Sequence, residues 1–367
     1  MQKNLDDFYL FGSTNKDLIT DDEIKNYKLN QFPLVNGKKT EMTTAITKIK
    51  KIIKGRTLHF DGLICDQRSQ HSILDLAESL RSSINHCDAE EINNFYAAYQ
   101  IYGGSLVSFN ELRKRADLII FIGNFDSYVL ERFSKNLSWS SKKTQSRIYY
   151  ISTKKISSFK QKITLKGNTS IYNLFVDLFK QKKLHVNYQL LQKELKSSRY
   201  PVLVINPKNG FMLTQQLLKL TEFINNKIRK LRIFKISGLN NSSGFVNSCV
   251  IKTGFPASVS FNDWGLSYNP IKYTANVQKS EKTIQIYTSN LNSNPKIEKF
   301  KQNIFIGHPN VIKKEKFDIF IPVKTPGIDS NGMALRSDGI GVLKLEKKID
   351  SNYIQLDELV KELTNND

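Results

Sequence analysis

The residues able to do chemistry in this sequence are few and scattered. Its three cysteines, Cys65, Cys87 and Cys249, include no CxxC pair. An odd count without paired spacing reads as reduced, buried or semi-buried thiols rather than a disulfide framework. Zinc needs convergent Cys or His ligands at fixed spacing. His86 and Cys87 are neighbours, and on a strand neighbouring side chains face opposite ways, so no tetrahedral metal site is expected. His59, His71, His185 and His308 have no partner motif. Glu90 and Glu91 read as solvent-facing acids whose charge complements a helix N-terminus. No GxSxG supports a nucleophilic serine, although triads converge from distant positions. Neither GxGxxG nor a Walker A pattern occurs, and Gly339-Ile340-Gly341 reads as a turn because no helical pattern follows it.

The 367 residues carry a net charge of +21, with 40% hydrophobic and 24% charged residues. The length fits two domains or one large domain with an insertion. The charge has two readings. One is an acidic partner, whether nucleic acid, a protein chain or an anionic substrate. The other is compositional drift, because lysines are spread along the chain (Lys48, Lys50, Lys51, Lys54; Lys180, Lys182, Lys183; Lys313, Lys314, Lys316) in a sequence rich in Lys, Asn and Ile. A nucleic-acid-binding protein rests on the charge alone, without aromatic–basic interleaving on a recognisable module. The chain has no run of 18 apolar residues and no basic-then-apolar start, so a cytoplasmic protein without membrane span or signal peptide is expected.

The elements that would position these residues alternate between strand and helix. Residues 1–40, with Pro33 and Gly37, read as a docking extension or loosely attached arm. A helix from Thr40 carries Ile46, Ile49, Ile52 and Ile53, and Gly55 closes it. Arg56–Ile64 reads as a strand bent at Asp61-Gly62, and Ser69–Leu80 as a helix. Asn93–Tyr102 reads as a helix ended by Gly103-Gly104, and Ser108–Arg115 as a short charged one. Ala116–Gly123 (ADLIIFIG), Arg147–Ser152 and Pro201–Ile205 (PVLVI) are the continuous apolar runs of strands buried on both faces. Helices are expected at Ile171–Lys183, Tyr188–Leu195 and Leu213–Lys230. Leu231–Ile236 reads as a further strand, and Asn240–Gly244 as a loop. Ile284–Ser289, Gln302–Ile306 and Asp318–Pro322 read as strands. Pro326-Gly327 and Asp338-Gly339 read as turns. The result is an α/β protein with largely parallel sheets, the strands at 118–122, 148–151, 202–205 and 232–236 belonging to two Rossmann-like sheets.

Four segments, in order, resemble the formylmethanofuran dehydrogenase family, in its molybdopterin-oxidoreductase-like subunit and especially the bacterial branch found in the formyltransferase/hydrolase complex. They are Leu63–Leu80 (LICDQRSQHSILDLAESL) with Ile84-Asn85-His86, Glu111–Gly123 (ELRKRADLIIFIG), Asn241–Phe261 (NSSGFVNSCVIKTGFPASVSF) with Tyr268-Asn269-Pro270, and Ile321–Lys344 (IPVKTPGIDSNGMALRSDGIGVLK). The resemblance implies a trimmed molybdopterin-oxidoreductase fold of the formate dehydrogenase/DMSO reductase type, with two parallel-sheet lobes. It places the first lobe at 41–97 plus 197–250, the second at 98–196 plus 251–345, and a C-terminal tail at 346–367.

The departures from that family bear on function. Its dehydrogenases hold a cubane cluster through an N-terminal Cys-rich motif, which needs four thiolates. No cysteine precedes Cys65 here. Counted back from Gln100, the family's metal-ligating Cys and neighbouring His fall on Glu91 and Ile92, with Cys87 about one helical turn early. The family's Arg before YNP is Ser267. The resemblance therefore implies a vestigial site around Cys87, Glu91, Ile92 and Ser267, with Asn241, Gly244 and Gly254 lining an emptied pterin pocket, and no cofactor or metal in this chain. The implied role is a non-redox scaffold alongside amidohydrolase-like, formyltransferase and β-helical subunits. Such a complex moves a formyl group from formyl-tetrahydromethanopterin to a methanofuran-type carrier and releases formate during formaldehyde oxidation in methylotrophs. Lys313, Lys314 and Lys316 are candidate contacts for the carrier's polyglutamate tail or for a subunit interface. The alternative within the family is a working molybdenum or tungsten dehydrogenase subunit using Cys87.

Overall fold

The computed structural model describes residues 21–127, 129–131, 133, 147–152, 161–164, 186–236, 240–273, 283–297 and 300–364. The chain forms two compact units, 1–92 with 238–367, and 93–237. The helix read at Ile171–Lys183 lies outside the described residues.

The first unit is built on a nine-stranded sheet. Its five middle strands are parallel, in the order Ser83–Ile84, Thr57–Ile64, Thr283–Ser289, Gln302–Gly307 and Ile319–Pro322. An antiparallel hairpin closes each edge. Val259–Asn262 and Gly265–Tyr268 add to Ser83–Ile84, and Leu34–Val35 and Lys38–Lys39 add to Ile319–Pro322. Thr283–Ser289 is buried throughout, as expected of a central parallel strand. It bears Thr, Gln, Tyr and Ser as well as Ile: Gln285 Nε2 donates to Asp61 Oδ2 at 3.0 Å and Tyr287 Oη donates to Lys296 O at 3.2 Å, whereas Gln285 Oε1 is buried without a hydrogen bond. The amphipathic helix Met42–Ile53 buries Ala45, Ile46, Ile49 and Ile53.

The second unit carries a five-stranded sheet, wholly parallel, in the order Gln161–Thr164, Ile148–Ser152, Leu118–Ile122, Pro201–Ile205 and Arg232–Lys235. The first strand in sequence lies at the centre and the order reverses beside it, which is the doubly wound Rossmann arrangement. Ile120, Ile122, Leu203, Ile205 and Ile233 form its core with Leu217 and Leu218 of helix Phe211–Lys227. The Ser108–Glu111 capping box starts helix Phe109–Arg115. Hydrogen bonds to the Ser108 backbone, and next to Tyr200, hold the Glu111 carboxyl below its ordinary range despite partial desolvation.

The α/β class with parallel sheets stands, and several boundaries change. The strands read as belonging to two sheets all lie in one. Ile120 pairs with Leu203, so 201–205 joins 118–122 rather than 41–97. Ile286 pairs with Phe60, so 283–289 joins 57–64 rather than 98–196. The two lobes expected from the resemblance thus exchange their C-terminal halves. Of the expected N-terminal arm, residues 21–40 are integral to the first unit: Tyr27 donates to Asp329 Oδ2 at 2.7 Å, the Gln31 N–H donates to Tyr353 Oη at 2.8 Å, and Leu34 pairs with Phe320. The expected C-terminal tail contains helix Leu356–Thr364, which packs on helices Gln67–Ser79 and Met42–Ile53 through buried Leu356, Leu359 and Leu363. Helix Ser242–Thr253 starts inside the segment read as a loop, because Asn241 takes a left-handed conformation immediately before it. Gly327 and Gly339 sit in turns with φ of 91° and 73°.

Candidate functional site

The chemistry-bearing residues of the first unit gather where strand Ser83–Ile84 ends. Its parallel partner Thr57–Ile64 is irregular at Asp61-Gly62, where the register against Thr283–Ser289 shifts. Gly62 has φ +82°, and a Cβ there would lie 2.6 Å from the Tyr287 ring and 2.7 Å from the Thr288 carbonyl oxygen. Only glycine fits. Past Ile84 the ladder loses one side, because Gly62 N–H turns to Asp61 Oδ1 at 2.7 Å, while Asn85 N–H still donates to Phe60 O at 2.9 Å and Cys87 N–H to Gly62 O at 3.2 Å. Helix Ala89–Tyr102 follows at once.

Because the ladder has lost one side, His86 and Cys87 do not alternate across a sheet. His86 Nδ1 is 3.7 Å from Cys87 Sγ and 4.0 Å from Asp88 Oδ2. This corrects the expectation that the two side chains face opposite ways. His86 is buried, stacks on Phe245 at 5.1 Å and lies 3.3 Å from the Asn240 carbonyl oxygen through Nε2. Asp88 N–H donates to its Nδ1 at 3.0 Å, which makes Nε2 the protonated nitrogen. Burial lowers the imidazole pKa, against opposing pulls from Asp88, Asn240 and Asp61, so the ring is neutral. Cys87 is open to solvent as a residue. Protein crowded around its sulfur, followed by the carboxylates of Asp88, Asp61 and Glu91, still holds the thiol well above its ordinary pKa. Such a thiol is a poor nucleophile on its own, since the thiolate is the reactive form. Among the described residues, His86, Cys87 and Asp88 are the group of His, Cys and carboxylate donors placed closely enough to hold a metal ion.

The other predicted site residues fall into different settings. Glu91 and Ile92 follow in the first turns of helix Ala89–Tyr102, and both are buried. Glu90 faces solvent as read, whereas Glu91 does not, because it lies on the inward side of that helix. Ser267 is two strands away from Ser83–Ile84, on the edge strand Gly265–Tyr268, where its hydroxyl accepts from Tyr273 at 3.1 Å. Asn241 is fully buried and joins three segments: its amide donates to Cys65 O at 2.7 Å, its Oδ1 accepts from Leu335 N–H at 2.8 Å, and its carbonyl accepts from Gln70 at 3.3 Å. Gly244 gives that side chain room, since a Cβ there would lie 2.5 Å from Asn241 Oδ1. Gly254 is the left-handed cap of helix Ser242–Thr253. These three hold the fold together around the helix.

Lys313 and Lys316 are exposed and flank Lys314, which lies against the Phe320 ring and donates to Gln31. Partial burial, then the neighbouring charges of Lys28 and Lys39, lower the Lys314 pKa. The lysines of the 28–39 and 313–316 segments therefore share one basic face.

Sequence reading missed two features. One is Asn240, whose carbonyl faces His86 and whose amide donates to Asp88 Oδ2 at 3.2 Å. The other lies in the second unit, at the C-terminal ends of the strands flanking the order reversal, where doubly wound sheets hold ligands. There Asn206 and Asn209 donate to Asn124 O at 2.9 and 3.0 Å, and Asn124 N–H donates back to Asn209 Oδ1 at 3.1 Å. The Gly-Asn and Asn-Pro-Lys-Asn-Gly that follow two apolar strands were the available signal.

Among the described residues, no helix is long and apolar enough to cross a membrane. No protein-family model matches the chain, and no curated protein matches it in sequence. Its fold does match a solved structure. The X-ray structure of the formyltransferase/hydrolase complex from Methylorubrum extorquens, in complex with methylofuran, contains a chain that aligns with a TM-score of 0.77 and 14% identity. The alignment covers 90% of this chain and 97% of that one. At that identity the likeness is one of fold.

Proposed function

We propose that this chain is a non-redox, scaffold subunit of a formyltransferase/hydrolase assembly in one-carbon metabolism. The observation that carries the reading is the fold likeness to a chain of such a complex over nearly the whole of both chains. The four ordered segments that resemble the formylmethanofuran dehydrogenase family support the same reading independently. Fold alone does not assign function, so the site must agree.

Two features of the site support the reading. By the resemblance the two family ligand positions fall on Glu91 and Ile92, and both are buried. Asn241 and Gly244, the pocket candidates, spend their groups on internal bonds and packing. Formyl transfer and hydrolysis then belong to partner subunits of formyltransferase and amidohydrolase type, accompanied by a β-helical one. The complex acts in the cytoplasm, passing a formyl group from formyl-tetrahydromethanopterin through a methylofuran-type carrier to formate. The basic face around Lys313, Lys314 and Lys316 meets either the carrier's anionic tail or an acidic partner.

The test is purification of the native chain from its own cells, with mass spectrometry of what accompanies it and elemental analysis for molybdenum, tungsten and iron. Co-purification of formyltransferase and amidohydrolase-like chains, without those metals in this subunit, is the expected result. Stoichiometric molybdenum or tungsten bound through Cys87 would replace the scaffold reading with the dehydrogenase one.

A further inference from the structure

The turn between strand Ser83–Ile84 and helix Ala89–Tyr102 brings three different donor types to one point. We propose that His86 Nδ1, Cys87 Sγ and Asp88 Oδ2 form a binding site for a redox-inactive divalent cation of the zinc class. Imidazole, thiolate and carboxylate are the ligands such ions take. The three atoms all lie within 4.8 Å of one another, with Nδ1 3.7 Å from the sulfur and 4.0 Å from the carboxylate oxygen. A tetrahedral ion with bonds of about 2.0–2.3 Å sets its ligand atoms about 3.4–3.6 Å apart. Closing the set therefore takes a contraction that is small between Nδ1 and the sulfur and up to about 1 Å for the carboxylate, which rotation of the partly exposed Asp88 side chain supplies.

A second observation is the arrangement behind the ligands. A metal-binding histidine usually donates its other ring N–H to a carbonyl, which fixes the tautomer and aims the lone pair. His86 Nε2 faces Asn240 O at 3.3 Å, and Phe245 stacks on the ring at 5.1 Å. The lone pair is therefore on Nδ1, the nitrogen turned toward the thiol and the carboxylate. The same Asn240 donates through its side chain to Asp88 Oδ2 at 3.2 Å, so one residue orients two of the three ligands. Without metal, Asp88 N–H occupies the Nδ1 lone pair, and a cation would take its place. Asp61 and Glu91 add negative charge around the sulfur. Asp88 is partly exposed, so water or a partner's side chain can reach the ion from the carboxylate side.

Binding is a ligand exchange with no redox step. The thiol loses one proton to solvent, Asp88 N–H gives up the Nδ1 lone pair, bonds form from Sγ, Nδ1 and Oδ2 to the ion, and the hydrated ion releases a water for each of them and more as it becomes four-coordinate. The site needs neither a cluster nor a pterin, and it rests on the non-redox reading only in that molybdenum or tungsten on Cys87 would take its thiolate.

The experiment is a titration of tag-free full-length protein with Co²⁺ as the spectroscopic probe, followed by competition with Zn²⁺. The expected result is one equivalent of Co²⁺ with a sulfur-to-cobalt charge-transfer band, release of one proton per ion at pH 7, and loss of the band on adding Zn²⁺. Cys87→Ser abolishes the band, whereas Cys249→Ser, at a buried thiol, keeps it. Asn240→Ala weakens binding about ten- to a hundredfold, as loss of an orienting partner does. Asp88→Asn, at a partly exposed position, is the second ligand variant if Cys87→Ser fails to fold, and it too weakens binding. A thiolate band that survives Cys87→Ser, or no band with the wild type at millimolar Co²⁺, overturns the proposal.

Discussion

The backbone N–H of Cys87 donates to the carbonyl oxygen of Gly62 at 3.2 Å. This bond ties the only exposed cysteine to the irregularity in strand Thr57–Ile64, so the shape of the turn depends on a glycine 25 positions earlier. Gly62→Ala places a methyl group 2.6 Å from the Tyr287 ring while holding φ at +82°. Strain of this kind costs about 1–3 kcal/mol at each such position, before the overlap with Tyr287 is counted. We expect a denaturant midpoint lowered by at least that equivalent. A Gly62→Ala protein as stable as wild type would remove the irregular strand as the support of the site.

The second prediction concerns the core of the Rossmann-like unit. Leu203 is 1% exposed and pairs with Ile120 at the centre of the five-stranded sheet. Leu203→Ala removes buried methyl groups and leaves a cavity, which costs about 2–5 kcal/mol. Equilibrium unfolding of the variant checks it, and a near-neutral change would contradict the interior position of Pro201–Ile205 beside the central strand.

Four of the five strands of this sheet were legible as short, largely apolar runs, whereas Gln161–Thr164 (QKIT) has no such pattern and was not read. Which sheet each run joins was not legible. Pro201–Ile205 and Ile284–Ser289 look alike as runs, and only pairing, with Leu118–Ile122 in one case and Thr57–Ile64 in the other, separates them. The site was partly legible. His86-Cys87-Asp88 is plain in the sequence, but its convergence depends on the strand ending at Ile84, after only two ladder residues. Helix Ser242–Thr253 was hidden because it opens with Ser-Ser-Gly after two asparagines, a composition that reads as a loop. The packing of Gly244 against Asn241 is what lets a helix run through it.

Acid sensitivity is the third prediction. His308 is buried, and burial lowers its pKa from the ordinary 6.5 to about 3. Burial also lowers those of His59 and His86. The unfolded chain binds these protons more readily than the folded one, so stability rises with pH across this window. The contribution is fully present above about pH 6.5 and is lost as pH falls toward 3. The buried carboxyls of Asp66 and Asp329, whose pKa values burial raises, act in the opposite sense near the acid end. His308→Asn should flatten the stability profile between about pH 6 and 4, while its Oδ1 can accept the Asn310 N–H that Nδ1 now takes at 3.0 Å. Urea unfolding at a series of pH values reads the slope. An unchanged slope in the variant would show that His308 does not contribute to it.

The last prediction concerns the basic face. Lys313 and Lys316 are exposed, so changing both to Glu reverses two charges without disturbing the Lys314 contacts with Gln31 and Phe320. If the face steers a polyanionic carrier tail between active sites of the assembly, the double variant slows formyl passage from transferase to hydrolase at low salt. Exposed charges are screened beyond about 8 Å at physiological ionic strength, so the wild type and the variant should converge as salt rises. A rate in the assembled complex that is the same for both at every salt would reject a role for these lysines in transfer. If the variant instead releases the chain from its partners, the lysines belong to a subunit interface with an acidic neighbour, and the salt dependence moves from the rate to the assembly itself. The two outcomes are separated by running size-exclusion chromatography at the same ionic strengths as the assay, because steering changes the rate of an intact particle and an interface changes its mass.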